Sequence, residues 1–181
     1  MLDLFTRFLK TSNESTQDIK SDFFRTFFED SLHHWILEDK YVSRAFKELL
    51  GALPISAIEF LHRGKKLSIV KANGIMSCAL APYHGHFTII IFPDLLKLLR
   101  SANSRIGEAI LAHEIGHLYS EHAKRGTDPL WAQVEADRFA YDCGYGAELE
   151  EILLDNPCLE SSTRLTYLTG HHYATKRSGV A

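Results

Sequence analysis

Cysteine, long apolar runs and basic excess are all scarce in this chain, and each scarcity closes off a class of protein. The 181 residues include 3 Cys, at Cys78, Cys143 and Cys158. They are far apart, odd in number and form no Cys-x-x-Cys. No disulfide framework is expected, and each is read as a small buried apolar residue in a reducing, cytoplasmic protein. No apolar run reaches the roughly 18 residues that cross a bilayer; the longest, around Phe87–Phe92, reads as a buried strand. Lys and Arg number 20 against 23 Asp and Glu, for a net charge of −3 and a pI near 6.4. No basic surface therefore asks for nucleic acid. The first residues lack the extended apolar stretch and small-residue cleavage site of a secretory signal. There is no internal repeat and no low-complexity tract.

What is present is enough apolar material for a core: 45% of the residues are hydrophobic, as in an ordinary globular protein. The expected organisation is an N-terminal helical segment, 1–62, packed on a body at 63–181. Leu2, Phe5 and Phe8/Leu9 recur at helical spacing with Arg7 and Lys10 between them. They predict a short helix docked on the body, or a weak peripheral contact with a membrane surface. Residues 11–18 read as a polar linker or the N-terminal region of a helix. From Ser21 to Leu37, Phe23, Phe24, Phe27, Phe28, Leu32, Trp35 and Ile36 predict one helix with an aromatic face. Tyr41–Leu50 predicts a second helix, ending at Gly51, and Pro54 opens a third to about His62.

The period then changes. Leu67–Lys71, Ile75–Ala81 and Phe87–Phe92 read as strands, with turn signals at Asn73-Gly74 and from Pro82 to His86. Their expected arrangement is a small antiparallel meander. Asp94–Arg100 predicts a short helix. Ser104 is placed to cap a longer one running to about Ala123, and another follows from Leu130 to Cys143. Further helices are expected over Gly146–Leu154 and Ser161–Leu168, with a disordered tail after Lys176. The fold class is α+β.

Residues 113–117 read His-Glu-Ile-Gly-His. Positions four apart on a helix lie one turn apart on one face, so His113 and His117 can point at one metal ion. Glu114 sits beside them, placed to take a proton from water. This is the H-E-x-x-H arrangement of zinc-dependent hydrolases. Two neutral imidazoles leave the charge of Zn2+ largely uncompensated, and a carboxylate completes a three-ligand site with an open position. Gly and His are absent three and six residues after His117, which excludes the metzincin pattern. On a continuous helix His122 lies about 140° around from His117 and does not reach the same ion; it is read as a surface residue or a partner to a ligand. The next helix offers Glu135 as third ligand and Asp137 to accept the second ring N–H of a ligand histidine.

Ala112-His-Glu-Ile-Gly-His117, then His122, then Glu135-Ala-Asp-Arg-Phe-Ala140 resembles the gluzincin zinc metallopeptidases. It is most similar to CAAX-type and stress-response membrane-associated endopeptidases, to the small peptidases that cleave phage repressors, and to the compact minigluzincins. The resemblance covers roughly residues 67–145. It implies a zincin-like fold, with a small sheet, an active-site helix and a following glutamate helix. It implies His113 and His117 as zinc ligands and Glu114 as general base and acid. Those families carry Glu-x-x-x-Asp, whereas here Gln133 stands four before Asp137. The third ligand stays open among Glu135, Gln133 and Asp137.

The expected partner is a protein or peptide that adds as a strand to a sheet edge, at Phe87–Phe92 or Ile75–Ala81. Candidate donors to a developing oxyanion are Arg138, Tyr141, Tyr145, Arg164, Tyr167, His171, His172 and Tyr173. His84-Gly-His86 reads as a hairpin turn, with a second metal site as the sharper alternative. Two functions follow: a zinc metalloendopeptidase, or a peptidase-like module with an impaired site that binds a protein without cutting it.

Overall fold

A computed structural model describes residues 17–62, 66–72, 78–80 and 86–178. The helix expected near the N-terminus, the Asn73-Gly74 turn and His84 lie outside these residues. Helix α1 spans 17–29 and buries Phe23 and Phe27. It does not continue to Leu37. The Asp30 carboxylate accepts the Leu32 N–H at 3.1 Å and starts a new turn, Ser31–His33, followed by α2, His34–Leu37. A side chain that caps one helix ends the one before it. Helix α3, Lys40–Ala52, is capped by Asp39, whose Oδ1 accepts from Tyr41 and Val42. It buries Val42, Ala45, Phe46, Leu49 and Leu50, one apolar stripe at helical spacing. Helix α4 is Ile55–His62.

Three strands, β1 (Lys66–Lys71), β2 (Cys78–Leu80) and β3 (His86–Ile91), form one sheet in the order β1-β3-β2. β1 pairs with β3 in parallel, from Lys66↔His86 to Lys71↔Ile91, and β2 pairs with β3 antiparallel. The expected meander is therefore corrected: β1 and β2 are not neighbours, and the sheet is mixed. The physical reason lies in β3. Phe87, Ile89 and Ile91 are buried to 1% exposure or less, and the most apolar strand takes the centre, where both its edges are hydrogen-bonded.

The outer edge of β1 is closed by side chains. Ile69 N–H donates to His33 Nε2 at 3.0 Å, and Trp35 Nε1–H donates to the Ile69 carbonyl at 3.3 Å. The other nitrogen of His33, Nδ1, donates to the Phe27 carbonyl at 2.6 Å, and the ring stacks on Phe27.

Helix α5, Pro93–Arg100, has Pro93 in its first turn and Lys97 and Arg100 in its last, the charge order the helix dipole favours. Helix α6, Arg105–Tyr119, crosses the middle of the molecule, with Leu111, Ala112, Ile115 and Leu118 buried. Ser104 sits at its N-terminus, but its hydroxyl donates to Glu108 Oε1 at 2.7 Å and makes no cap. The helix stops four residues short of Ala123, because Glu121 adopts a left-handed backbone (φ 51°, ψ 37°). A short helix α7, His122–Arg125, follows. Helix α8, Pro129–Ala140, is capped by Asp128 and widens into a π turn at Tyr141–Tyr145. Helices α9, Gly146–Asp155, and α10, Leu159–Ser178, complete the chain order. α10 is much longer than the segment expected at Ser161–Leu168. One core cluster runs from Phe23 to Leu168 and includes residues of α1, α3, the sheet, α6 and α10. Helices with one small sheet make an α+β protein. Among the described residues, no helix is long and apolar enough to cross a membrane.

Candidate functional site

Helices α6 and α8 pack directly on one another, and Gly116 explains how closely. A β-carbon there would stand 3.0 Å from the Ala136 Cα and 3.1 Å from the Ala136 carbonyl oxygen. A residue without a side chain lets the two backbones meet this closely with no shift of α8. This contact fixes the rotation of α8, so that Asp137, the next residue, faces α6 one turn before Gly116.

On α6 the Nε2 atoms of His113 and His117 stand 3.0 Å apart. Two nitrogens bound to a tetrahedral zinc at 2.0–2.1 Å would lie about 3.3 Å apart. The rings are nearly perpendicular, with centroids 4.7 Å apart. His113 Nδ1 donates to Asp137 Oδ1 at 2.8 Å. Asp137 is itself clamped by Arg164 of α10, with Nε to Oδ2 and Nη2 to Oδ1 both at 2.7 Å. Asp137 is 2% exposed. Burial opposes its charge, but the bonds from Arg164 and His113 outweigh this and hold its carboxyl below the usual range.

His117 Nδ1 meets His122 Nδ1 at 2.8 Å, and His122 Nε2 donates to Glu135 Oε2 at 2.8 Å. Glu135 also accepts from Arg125 Nη1 and from Trp131 Nε1, each at 3.1 Å. The structure thus brings Asp137 to His113 but does not bring Glu135 to the Nε2 pair. A whole imidazole, His122, separates Glu135 from His117, on the side of that ring facing away from His113. The His122 bond, with help from Arg125 against a smaller burial effect, keeps Glu135 below its ordinary pKa. His122 reaches His117 because the helix breaks before it, at the left-handed Glu121.

Glu114 is half-buried, and among the described residues no hydrogen bond engages its carboxylate. Burial raises its pKa, with the nearby His113 acting in the opposite direction. Burial, together with His113 and His122, pushes the His117 pKa down to about 4, so that ring is neutral and its lone pair free at neutral pH. Two converging imidazoles fit a zinc ion. A complete protein set does not accompany them: among the described residues, no three His, Cys, Asp or Glu gather to hold a metal. The residue one turn before Asp137 on the same face of α8 is Gln133, an amide where a carboxylate would be the stronger donor.

The proposed oxyanion donors are scattered. Tyr145 is buried and donates to Glu108 Oε2 at 3.1 Å, at the far end of α6. Tyr141 pairs with His172 at 2.5 Å, and His171 with Asp142 at 2.7 Å. Arg164 is taken up by Asp137. Arg138 is exposed and, with Trp131, Arg164, Tyr167 and His171, lines a cavity of 320 Å³ between α8 and α10. One residue gains a role its sequence position did not suggest: Arg164 stands among the oxyanion candidates but braces Asp137. His122, read as a surface residue or a partner to a ligand, takes the second of these places, behind His117. Only the pairing of His122 with acidic Glu135 left a trace in the sequence. Cys143 is buried and its thiol is pushed up to about 12 by that burial. Cys158 is exposed, against expectation.

The family model of Peptidase family M48 matches residues 38–129, from the start of α3 to the first residue of α8. The match therefore contains His113, Glu114, His117 and His122, and ends before Glu135 and Asp137. No curated protein and no solved structure matches the chain.

Proposed function

The chain belongs to Peptidase family M48, and on that premise we propose that it is a zinc-dependent endopeptidase acting on a protein or peptide substrate. The observation that carries the reading is the pair of Nε2 atoms 3.0 Å apart beside an unengaged carboxylate, Glu114. His113 and His117 would hold the ion. Zinc bound there would supply the Lewis acidity that makes hydroxide available near neutral pH.

The chain's own residues do the rest. Asp137 takes the Nδ1 hydrogen of His113, which leaves the Nε2 lone pair facing the ion. Glu114 accepts a proton from water and passes it to the leaving amine nitrogen. Its burial raises the carboxyl pKa toward the working range, which suits a group that must both take and give a proton. The substrate lies extended along β2. β3 is central and cannot be an edge, and β1 is closed at Ile69 by His33 and Trp35. Among the described residues β2 is the edge that remains, and it packs against α6.

A second reading has its own support. Gln133 stands where Glu-x-x-x-Asp would put a carboxylate, and Glu135 is occupied by His122, Arg125 and Trp131. A weakly metallated module that binds a protein without cutting it fits that donor set.

One experiment separates the two. Protein purified without added zinc is assayed for metal content and for cleavage of a denatured casein. The endopeptidase reading expects about one zinc per chain, cleavage by the wild type, and none by Glu114→Gln with its zinc retained. Wild-type protein that purifies without zinc and cuts nothing supports the module. Cleavage that survives Glu114→Gln overturns the mechanism.

A further inference from the structure

We propose that His122 is a positioning residue for His117, anchored by Glu135, so that the two imidazoles are aimed by two separate carboxylate-ended chains. This rests on the reading of His113 and His117 as metal ligands and deepens it.

The hydrogen directions along the chain allow one assignment. A carboxylate only accepts, so the 2.8 Å bond to Glu135 places a hydrogen on His122 Nε2. The nitrogen left to accept is Nδ1. His117 must keep a lone pair on Nε2 to bind a cation, so its own hydrogen sits on Nδ1. That hydrogen points at His122 Nδ1, 2.8 Å away. Donor and acceptor match at every link. On His113 the corresponding chain is one link long, through Asp137 to Arg164.

Two further features point the same way. His122 is 8% exposed, so its ring nitrogens find their partners in the protein. It arrives there only through the left-handed backbone of Glu121, the one positive φ on a non-glycine among the described residues. L residues rarely hold that conformation unless the surroundings impose it. Glu135, with three donors on one carboxylate, is the fixed end of the chain. Its place beyond His122 gives it an orienting task and leaves ligation to other donors.

The test uses Co2+ as the probe, since its visible absorption reports both binding and ligand geometry. Wild type, His122→Leu, His122→Asn and His122→Gln are titrated with Co2+, and the thermal transition of each metal-free protein is measured alongside. The Asn amide oxygen reaches the place of Nδ1 and can accept from His117; the longer Gln places its polar end at Nε2 and cannot. His122→Leu and His122→Gln should bind Co2+ about 10–100-fold more weakly, and His122→Asn should recover most of the loss with a wild-type spectrum. Equal affinities for wild type and His122→Leu, or for the Asn and Gln variants, would overturn the positioning role alone. A wild-type protein that gives no Co2+ spectrum would overturn the metal-ligand reading and this proposal with it.

Discussion

The backbone of Gly116 lies so close to that of Ala136 that a methyl group would crowd it: an added β-carbon would meet the Ala136 Cα at 3.0 Å, and the backbone would have to give by a few tenths of an ångström. The neighbour is backbone and cannot swing aside. Gly116→Ala should therefore force α6 and α8 apart, at a cost of about 1–3 kcal/mol. Because Asp137 follows Ala136, the same shift lengthens its bond to His113. Denaturant unfolding and Co2+ titration should both register the change. Unaltered stability together with unaltered binding would show that the helices do not depend on this contact.

Arg164 and Asp137 form a buried bidentate pair. Arg164→Leu leaves the 2%-exposed carboxylate with His113 alone, and removal of one partner of a buried pair costs about 3–5 kcal/mol. The depressed folded pKa of Asp137 sets the sign of the pH dependence. Its contribution is present above the unfolded carboxylate value and is lost as pH falls through the folded one. The gap between wild type and Arg164→Leu should be widest above about pH 5 and should narrow as pH falls below the unfolded carboxylate value of about 3.9. Urea midpoints across that range provide the check, and a constant gap would contradict the ion-pair account.

His33 gives a second pH dependence. Its Nε2 must accept the Ile69 N–H, and protonation removes that acceptor. Burial lowers its pKa, with the Phe27 carbonyl and Asp30 pulling upward and Lys66 downward. A folded value below the unfolded one means that the unfolded chain binds more protons. Stability should then fall as pH drops below about 6.5. His33→Gln should flatten that step between about pH 7 and pH 5, a difference that chemical denaturation at each pH resolves.

Glu121 tests the backbone argument. Its αL conformation costs roughly 1–2 kcal/mol in an L residue. Glu121→Gly should be tolerated, since relief of that strain offsets the entropy glycine adds to the unfolded chain. Glu121→Val places a β-branched side chain at positive φ and should lower stability by more than about 1 kcal/mol. Thermal melts of the two variants should separate in that order.

Features set within a few residues were the readable ones. The one-turn spacing of His113 and His117 is a property of any helix, and Pro54 marked the start of α4 through its own backbone. Other features depend on what a residue meets far along the chain. The parallel pairing of β1 with β3 follows from competition for the middle of the sheet, which Phe87–Ile91 wins. The break at Asp30 was hidden because Trp35 and Ile36 keep a helical spacing across it. Whether Glu135 or Asp137 faces α6 depends on the rotation of α8, which Gly116 and Ala136 decide together, and no count along α8 could supply that. His122 was placed by extending a helix that in fact ends at Tyr119, and nothing in the composition of Ser-Glu-His announces a left-handed residue.

The brace on Asp137 also bears on timing during synthesis. His113 and His117 leave the ribosome well before Arg164 does, and until α10 docks, the carboxylate behind His113 has no cation to hold it. Under the proposed metal-ligand reading, a half-made chain would carry the His-Glu-Ile-Gly-His pentapeptide without a rigid grip on an ion, and that grip would arrive only after the segment bearing Arg164 has folded back.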